Sequence, residues 1–219
     1  MSTYRVRVWD LPVRLFHWAI VGLVCFAWWS AEEGGVTLKY HMWCGYTVFG
    51  LVLFRIAWGF TGSRYARFGE FLHGPRRVLE SARMVWTRAP SGAVGHNPLG
   101  GWMIVALLVS LLVQAGTGLF ANDDLFNEGP LYGHVGKDLS DLLTGIHHVN
   151  FNVLCVLIAL HVAAVAWHRL RKGERLVGAM FNGCKQLPAP APEAAPTAPW
   201  RAALAALASA AVVVTIVNL

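Results

Sequence analysis

Leu143–Arg175 reads LTGIHHVNFNVLCVLIALHVAAVAWHRLRKGER. About 20 apolar residues at 1.5 Å rise each cross the hydrocarbon core of a bilayer. The run from Val149 to Trp167 is long enough, and only Asn150, Asn152 and His161 interrupt it with strongly polar groups. His147 and His161 are 14 residues apart. At ~100° per residue this spacing falls within about 40° of four full turns, so both imidazoles leave one face, ~21 Å apart along the axis. His148 points ~140° away from His161, so periodicity selects His147 as its partner on that face. Polar groups in hydrocarbon are costly. Two explanations fit this helix taken alone: hydrogen bonding inside a helical bundle, or ligation of a metal or haem.

The composition is that of a membrane protein. Of 219 residues, 56% are hydrophobic and 14% charged, with a mean hydropathy of +0.48. Four cysteines (Cys25, Cys44, Cys155, Cys184) are scattered without a CxxC. Covalent c-type haem attachment and a zinc ribbon are therefore both excluded. Cys25 and Cys155 fall inside apolar runs and read as small hydrophobes.

Working outward, the sequence predicts an all-α integral membrane protein, with helices over about 11–31, 40–60, 99–120 and 146–168. These four form one domain, 1–185. A Pro/Ala-rich linker (186–199) follows, extended and without a packed core, and then a fifth membrane helix over 200–219. The first run is too long for the apolar core of a signal peptide and carries His17, so it reads as a retained helix. Asn97 reads as a helix N-cap with Pro98 at the first helical position. Trp9, Trp43, Trp58, Trp102, Trp167 and Trp200 lie at expected helix ends, as an aromatic belt would place them.

Fifteen Lys and Arg residues fall on one side of this arrangement: Arg5, Arg7 and Arg14, the loop arginines Arg64 to Arg88, and Arg169 to Arg201 with Lys172 and Lys185. Lys39 and Lys137 fall on the other side, with Glu32, Glu33, Asp123, Asp124, Glu128, Asp138 and Asp141. The net charge of +6 is thus a positive-inside pattern that puts the N-terminus in the cytoplasm, not a nucleic-acid footprint.

With that orientation the histidines sort by depth. His41 and His147 lie toward the outside, His17 and His161 toward the inside, each pair drawn from two helices. Two axial imidazoles suit an electron-transfer haem with no open iron position, whereas zinc would want three or four clustered ligands. Two haems spanning the membrane fit this pattern. Arg55 stands 14 residues after His41 and so faces the same way at the inner depth; either a haem propionate or snorkelling to the surface accounts for it. Arg14, one turn before His17, has the same two explanations. Gly45, one turn after His41, either admits a porphyrin or allows close helix packing. The third helix has no histidine and closes the bundle without ligating. His168, next to Arg169, reads as interfacial, and His73, His96 and His134 as loop residues.

The sequence resembles the bacterial cytochrome b561 and nickel-iron hydrogenase b-type cytochrome family over roughly residues 6 to 183. The resemblance lies in VWDLPVRLFHW around His17, YHMWCGYTVFGLVLFRIAWGFTGSRYARF around His41 and Arg55, GHNPLGG, and LTGIHHVNFNVLCVLIALHVAA around His147 and His161. It implies a four-helix core in the bacterial inner membrane, with two b haems on His17, His41, His147 and His161. It further implies electron exchange between quinone or quinol and a redox partner, such as a c-type cytochrome or a periplasmic dehydrogenase or hydrogenase subunit, in a homo- or hetero-oligomer. The linker and fifth helix go beyond the minimal pattern.

Two other functions compete with an electron-transfer subunit. A superoxide:quinone oxidoreductase would gain from a cationic outer funnel that steers the anion, but the outer loops here are acidic. A non-redox anchor, with histidines as buried hydrogen-bonders, would be colourless.

Overall fold

The computed structural model describes residues 4–87 and 92–219. Arg88, counted above among the inner cations, lies outside the described residues. Among the described residues the regular structure is helical apart from one two-stranded sheet and an isolated bridge between Asn122 and Glu128. Five of the described helices are each long and apolar enough to cross a membrane.

After strand β1 (Tyr4–Arg7), helix α1 (Leu11–Glu33) starts at Asp10, whose Oδ1 accepts the Val13 N–H at 2.9 Å and so caps the first turn. Two left-handed glycines, Gly34 (φ 62°) and Gly35 (φ 56°), end the helix without Cβ strain. The Thr37 hydroxyl contacts the carbonyls of Ser30 (2.9 Å) and Gly34 (2.7 Å), satisfying acceptors the helix end leaves open. Helix α2 (Leu38–Thr61) leads to two short helices, α3 (Phe68–Phe71) and α4 (Pro75–Arg83). Helix α5 (Pro98–Gly118) begins as the sequence suggests: Asn97 Oδ1 accepts the Gly100 N–H at 2.7 Å, with Pro98 at the first helical position.

Helix α6 (Lys137–Lys172) has 36 residues, about 54 Å at 1.5 Å per residue, longer than the expected 146–168. Its extra N-terminal turns are polar and are held by the preceding loop. Ser140 donates to the Phe120 carbonyl (2.6 Å), and the Asn122 amide donates to Ser140 Oγ (2.7 Å) and Asp141 Oδ1 (2.9 Å). In that loop the Asp123 carboxylate accepts N–H bonds from Leu125, Phe126 and Asn127. The Asn127 side-chain amide, together with these backbone donors, holds its pKa well below the usual carboxylate range.

Helix α7 (Leu176–Asn182) ends at Gly183, left-handed at φ 81°; a Cβ there would lie 2.7 Å from the Trp9 carbonyl. Strand β2 (Cys184–Leu187) then pairs antiparallel with β1, Tyr4 opposite Leu187 and Arg7 opposite Cys184. The last helix is α8 (Pro199–Val217).

The residues cluster into two compact units. The first comprises Met1–Leu15, Ala57–Ala106 and Leu157–Ala202. Its core packs Val6, Val8, Trp9, Tyr65, Ala179, Leu187 and Ala194. The Pro/Ala segment is irregular, as its composition suggests, but it is not without a core. Ala194 is buried, its N–H donates to the Arg7 carbonyl at 2.9 Å, and Tyr65 donates its hydroxyl to Pro192. Trp9 and Trp58 also depart from the belt reading. Both are buried, and Trp58 Nε1 donates to Asp10 Oδ2 at 2.9 Å. His168, read as interfacial, is buried in the protein, with Nδ1 3.1 Å from Glu174 Oε2. Lys185, from β2, donates to the Ala93 carbonyl at 2.8 Å; burial lowers its pKa, against the opposing pull of Glu174.

The second unit comprises Phe16–Ile56, Leu107–Val156 and Ala203–Leu219. Here α8 meets α2 at Gly50, where an added Cβ would lie 3.2 Å from Val213 Cγ2.

Asp10 serves two bonds at once, the α1 cap and the buried Trp58 indole. Asp10→Ala should therefore lower unfolding stability by about 1–3 kcal/mol. Asp10→Asn, which keeps one acceptor oxygen, should cost less. Thermal melts of the purified protein in one detergent would show the order; an Asp10→Ala melt equal to the wild type would refute this account.

Candidate haem site

The second unit brings His41 and His147 together. Their ring centroids lie 6.1 Å apart with planes at 76°. His41 Nδ1 donates to the Ala27 carbonyl of α1 at 2.8 Å, and His147 Nδ1 donates to the Gln114 carbonyl of α5 at 2.9 Å. A carbonyl only accepts, so Nδ1 carries the proton on each ring and Nε2 keeps its lone pair, the arrangement a metal-ligating imidazole needs. An imidazole nitrogen bonds a divalent metal at about 2.0–2.1 Å and sits about 1.1 Å from its ring centroid, so two rings flanking one metal have centroids about 6.3 Å apart. The observed separation matches that sum, and the residues fit an axially ligated haem.

The surroundings of the pair were only partly visible in the sequence. Gly118 lets α5 approach the imidazole: an added Cβ would lie 3.1 Å from His147 Cε1. Thr117 Oγ1 lies 3.4 Å from His147 Nδ1. One turn along α6, the Asn150 amide donates to the Ser110 carbonyl (2.9 Å) and to Gln114 Oε1 (2.7 Å), and Ser110 Oγ donates back to Asn150 Oδ1 (3.2 Å). Helix α5 thus lacks a histidine but supplies the acceptor that orients one. The sequence signal was the pair Ser110 and Gln114, polar residues four apart on a membrane helix. His148 is exposed, whereas His147 is half-buried.

The glycines discriminate between close packing and open space. At Gly50 and Gly118 an added Cβ would press on a neighbour, but at Gly45 it would meet nothing within 4 Å. Close helix packing therefore does not explain Gly45, whose Cβ position is open. Arg55, in the same unit, is 3% exposed, so its guanidinium is not snorkelled into water.

The inner candidates are divided between the units. His17 belongs to the second, where its ring meets Trp18 edge-on at 4.9 Å. His161 and Arg14 belong to the first. An added Cβ at Gly183 would lie 2.9 Å from Arg14 Nη1, so that glycine lets the guanidinium run against the α7 terminus. The first unit also contains a cleft of about 300 Å³ lined by Tyr65, Phe71, His73, Arg77 and His96 among others. His73 Nδ1 donates to the Phe71 carbonyl at 2.9 Å.

Among curated proteins and among solved structures, none matches this chain. A family description does: prokaryotic cytochrome b561, over residues 8–183. The matched segment runs from just before α1 to the end of α7 and contains all four candidate histidines. The chain accordingly belongs to the prokaryotic cytochrome b561 family, multi-pass membrane b-type cytochromes of electron transfer.

Proposed function

We propose that this protein is a di-haem cytochrome b of the bacterial inner membrane. In this reading it carries electrons between the quinone pool and a redox partner, such as a c-type cytochrome or a periplasmic dehydrogenase or hydrogenase. The observation that supports it most is the His41–His147 pair, 6.1 Å between ring centroids with both Nδ1 protons given to backbone carbonyls. His41 and His147 would hold an outer haem, with Gly45 giving it room. His17 and His161 would hold an inner one, with Arg55 and Arg14 as cations for propionates. Bound haem supplies reversible one-electron iron chemistry. The protein's own part is to fix each imidazole's tautomer and direction, keep water out, and balance the propionate charge.

The seven carboxylates on the outer loops favour a basic partner over an anionic substrate, which speaks against superoxide oxidation. The N-terminus lies in the cytoplasm in this reading, on the strength of the Lys and Arg distribution.

The test is a reduced-minus-oxidised spectrum with a haem count per chain. Two b haems are expected in the wild type. One should remain in His41→Ala and His147→Ala, and the other in His17→Ala and His161→Ala. His148→Ala should keep both, and loss of a haem there would move the ligand by one residue.

Gly45→Phe should lower the outer-haem content, because the Cβ position is open for 4 Å and a bulky side chain there would occupy the space left for the haem. Retention of both haems would put that space against lipid instead. In Gly118→Ala the imidazole must shift by a few tenths of an ångström. A lower outer-haem content or a moved midpoint potential is expected, with the inner haem unchanged.

Orientation is checked with a membrane-impermeant maleimide on right-side-out vesicles of a chain whose native cysteines are replaced. A cysteine at Phe126, 94% exposed, should label, and one at Leu79 should not. The reverse pattern would invert the topology and leave the haem assignments standing.

A further inference from the structure

A second cleft of the first unit, about 240 Å³, lies where α4, the turn after it, the start of α5 and the end of α6 meet. Arg77, Lys172, Asn97, His168 and Glu80 line it together with the apolar Met84 and Val85. Its charges do not cancel. The carboxylate of Glu80 is taken by Arg76 at 3.2 Å, and that of Glu174 by His168 at 3.1 Å. Among the described residues no carboxylate pairs with Arg77 or Lys172, and Lys172 Nζ donates only to the Met84 carbonyl, at 2.9 Å. The cleft therefore presents two unpaired cations and an amide to whatever enters it, beside a Glu80 carboxylate already held by Arg76.

The rim is that of a membrane interface. Trp86 is 76% exposed and meets Trp167 edge-on at 5.2 Å. Trp167 Nε1 donates to the Val85 carbonyl at 2.9 Å, and Arg171 lies over its ring at 5.0 Å. Helix α4 adds an exposed Leu79 on the same short element as Arg77. Tryptophans beside cations mark the headgroup level of a bilayer, and basic pockets between membrane helices take anionic headgroups.

We infer that this cleft binds a phosphate ester anion, the headgroup phosphate of an anionic phospholipid, with Arg77 and Lys172 on its oxygens and the acyl chains running past Trp86. A free phosphate ion would satisfy the same two cations but would leave the exposed Trp86 and Leu79 without a partner. The inference is independent of the haem assignments.

The test uses the full-length haem-loaded chain from vesicles of phosphatidylcholine mixed with phosphatidylglycerol, with retained lipid counted by native mass spectrometry. The wild type should keep one phosphatidylglycerol in preference to phosphatidylcholine. The double variant Arg77→Gln/Lys172→Gln should lose that preference by about 30-fold, since each cation near a membrane surface contributes about fivefold. Arg77→Lys with Lys172 intact should retain it, which separates lost charge from misfolding. Arg83→Gln, a cation of the same helix outside the cleft, should leave retention at the wild-type level. An equal loss in Arg83→Gln would replace the cleft by general surface charge and overturn the inference. So would undiminished retention in the double variant. In detergent, inorganic phosphate alone should not raise the melting temperature. If it does so as well as phosphatidylglycerol, the site is one for the free ion and the lipid assignment fails.

Discussion

The bond from His147 Nδ1 to the Gln114 carbonyl, 2.9 Å long, shows the constraint on which the rest of this structure depends. In hydrocarbon no water stands ready for a polar group, so each one must find its partner inside the protein. An α-helical carbonyl is already engaged by the N–H four residues on, but it has a second lone pair. His41 and His147 each donate to such a carbonyl, at Ala27 and Gln114, and share it with the Ser30 and Thr117 hydroxyls. Such a bond fixes which ring nitrogen holds the proton and leaves the other with its lone pair. Asn150, Ser110 and Gln114 obey the same constraint one turn away. The polar residues that looked like interruptions of a hydrophobic run are what hold α6 against α5.

The membrane helices were legible because their signal is local. Each is a stretch of apolar residues bounded by polar ones, and the sequence can count them. What surrounds each helix end was less legible. A tryptophan at a helix end is equally compatible with a bilayer interface and with a small soluble core beside it. Trp43 and Trp102 are exposed, but Trp9 and Trp58 are buried. Asp10 decides the latter, since it caps α1 and receives the Trp58 indole, and nothing in the sequence links positions so far apart. The β1–β2 pairing was invisible for the same reason. Four-residue strands carry little periodicity, and their partners are separated by nearly the whole chain.

In the site, the histidines were legible and their supports were not. A 14-residue spacing puts two imidazoles on one face whatever the fold, so periodicity chose His147 over His148, and only His148 is exposed. The acceptors are backbone carbonyls, which every residue carries, so no sequence can single out Ala27 or Gln114. Gly118 was likewise one of 22 glycines until the imidazole was seen against it. The burial of His168 was not legible from its neighbours Arg169 and Arg171. Glu174, past the end of the helix, turns back to meet it, and such a contact needs the chain reversal at Gly173 (φ 69°).

The tail beyond the family match follows from this arrangement. Once β2 has paired with β1, the chain leaves the sheet beside the first residues of the protein, and Pro/Ala composition suits what comes next. Proline offers no N–H to be stranded, and alanine is small enough to be buried without displacing Trp9 or Tyr65. Ala194 fills the gap beside Val6 and Val8, with its N–H on the Arg7 carbonyl. The segment is therefore anchored near both of its ends, by Leu187 in the sheet and Ala194 in the core. Little slack remains before α8 begins at Pro199. In the second unit Gly50 of α2, without a side chain, offers Val213 of α8 a place to pack, so an alanine-rich helix with few distinctive side chains still has a defined face against its neighbour.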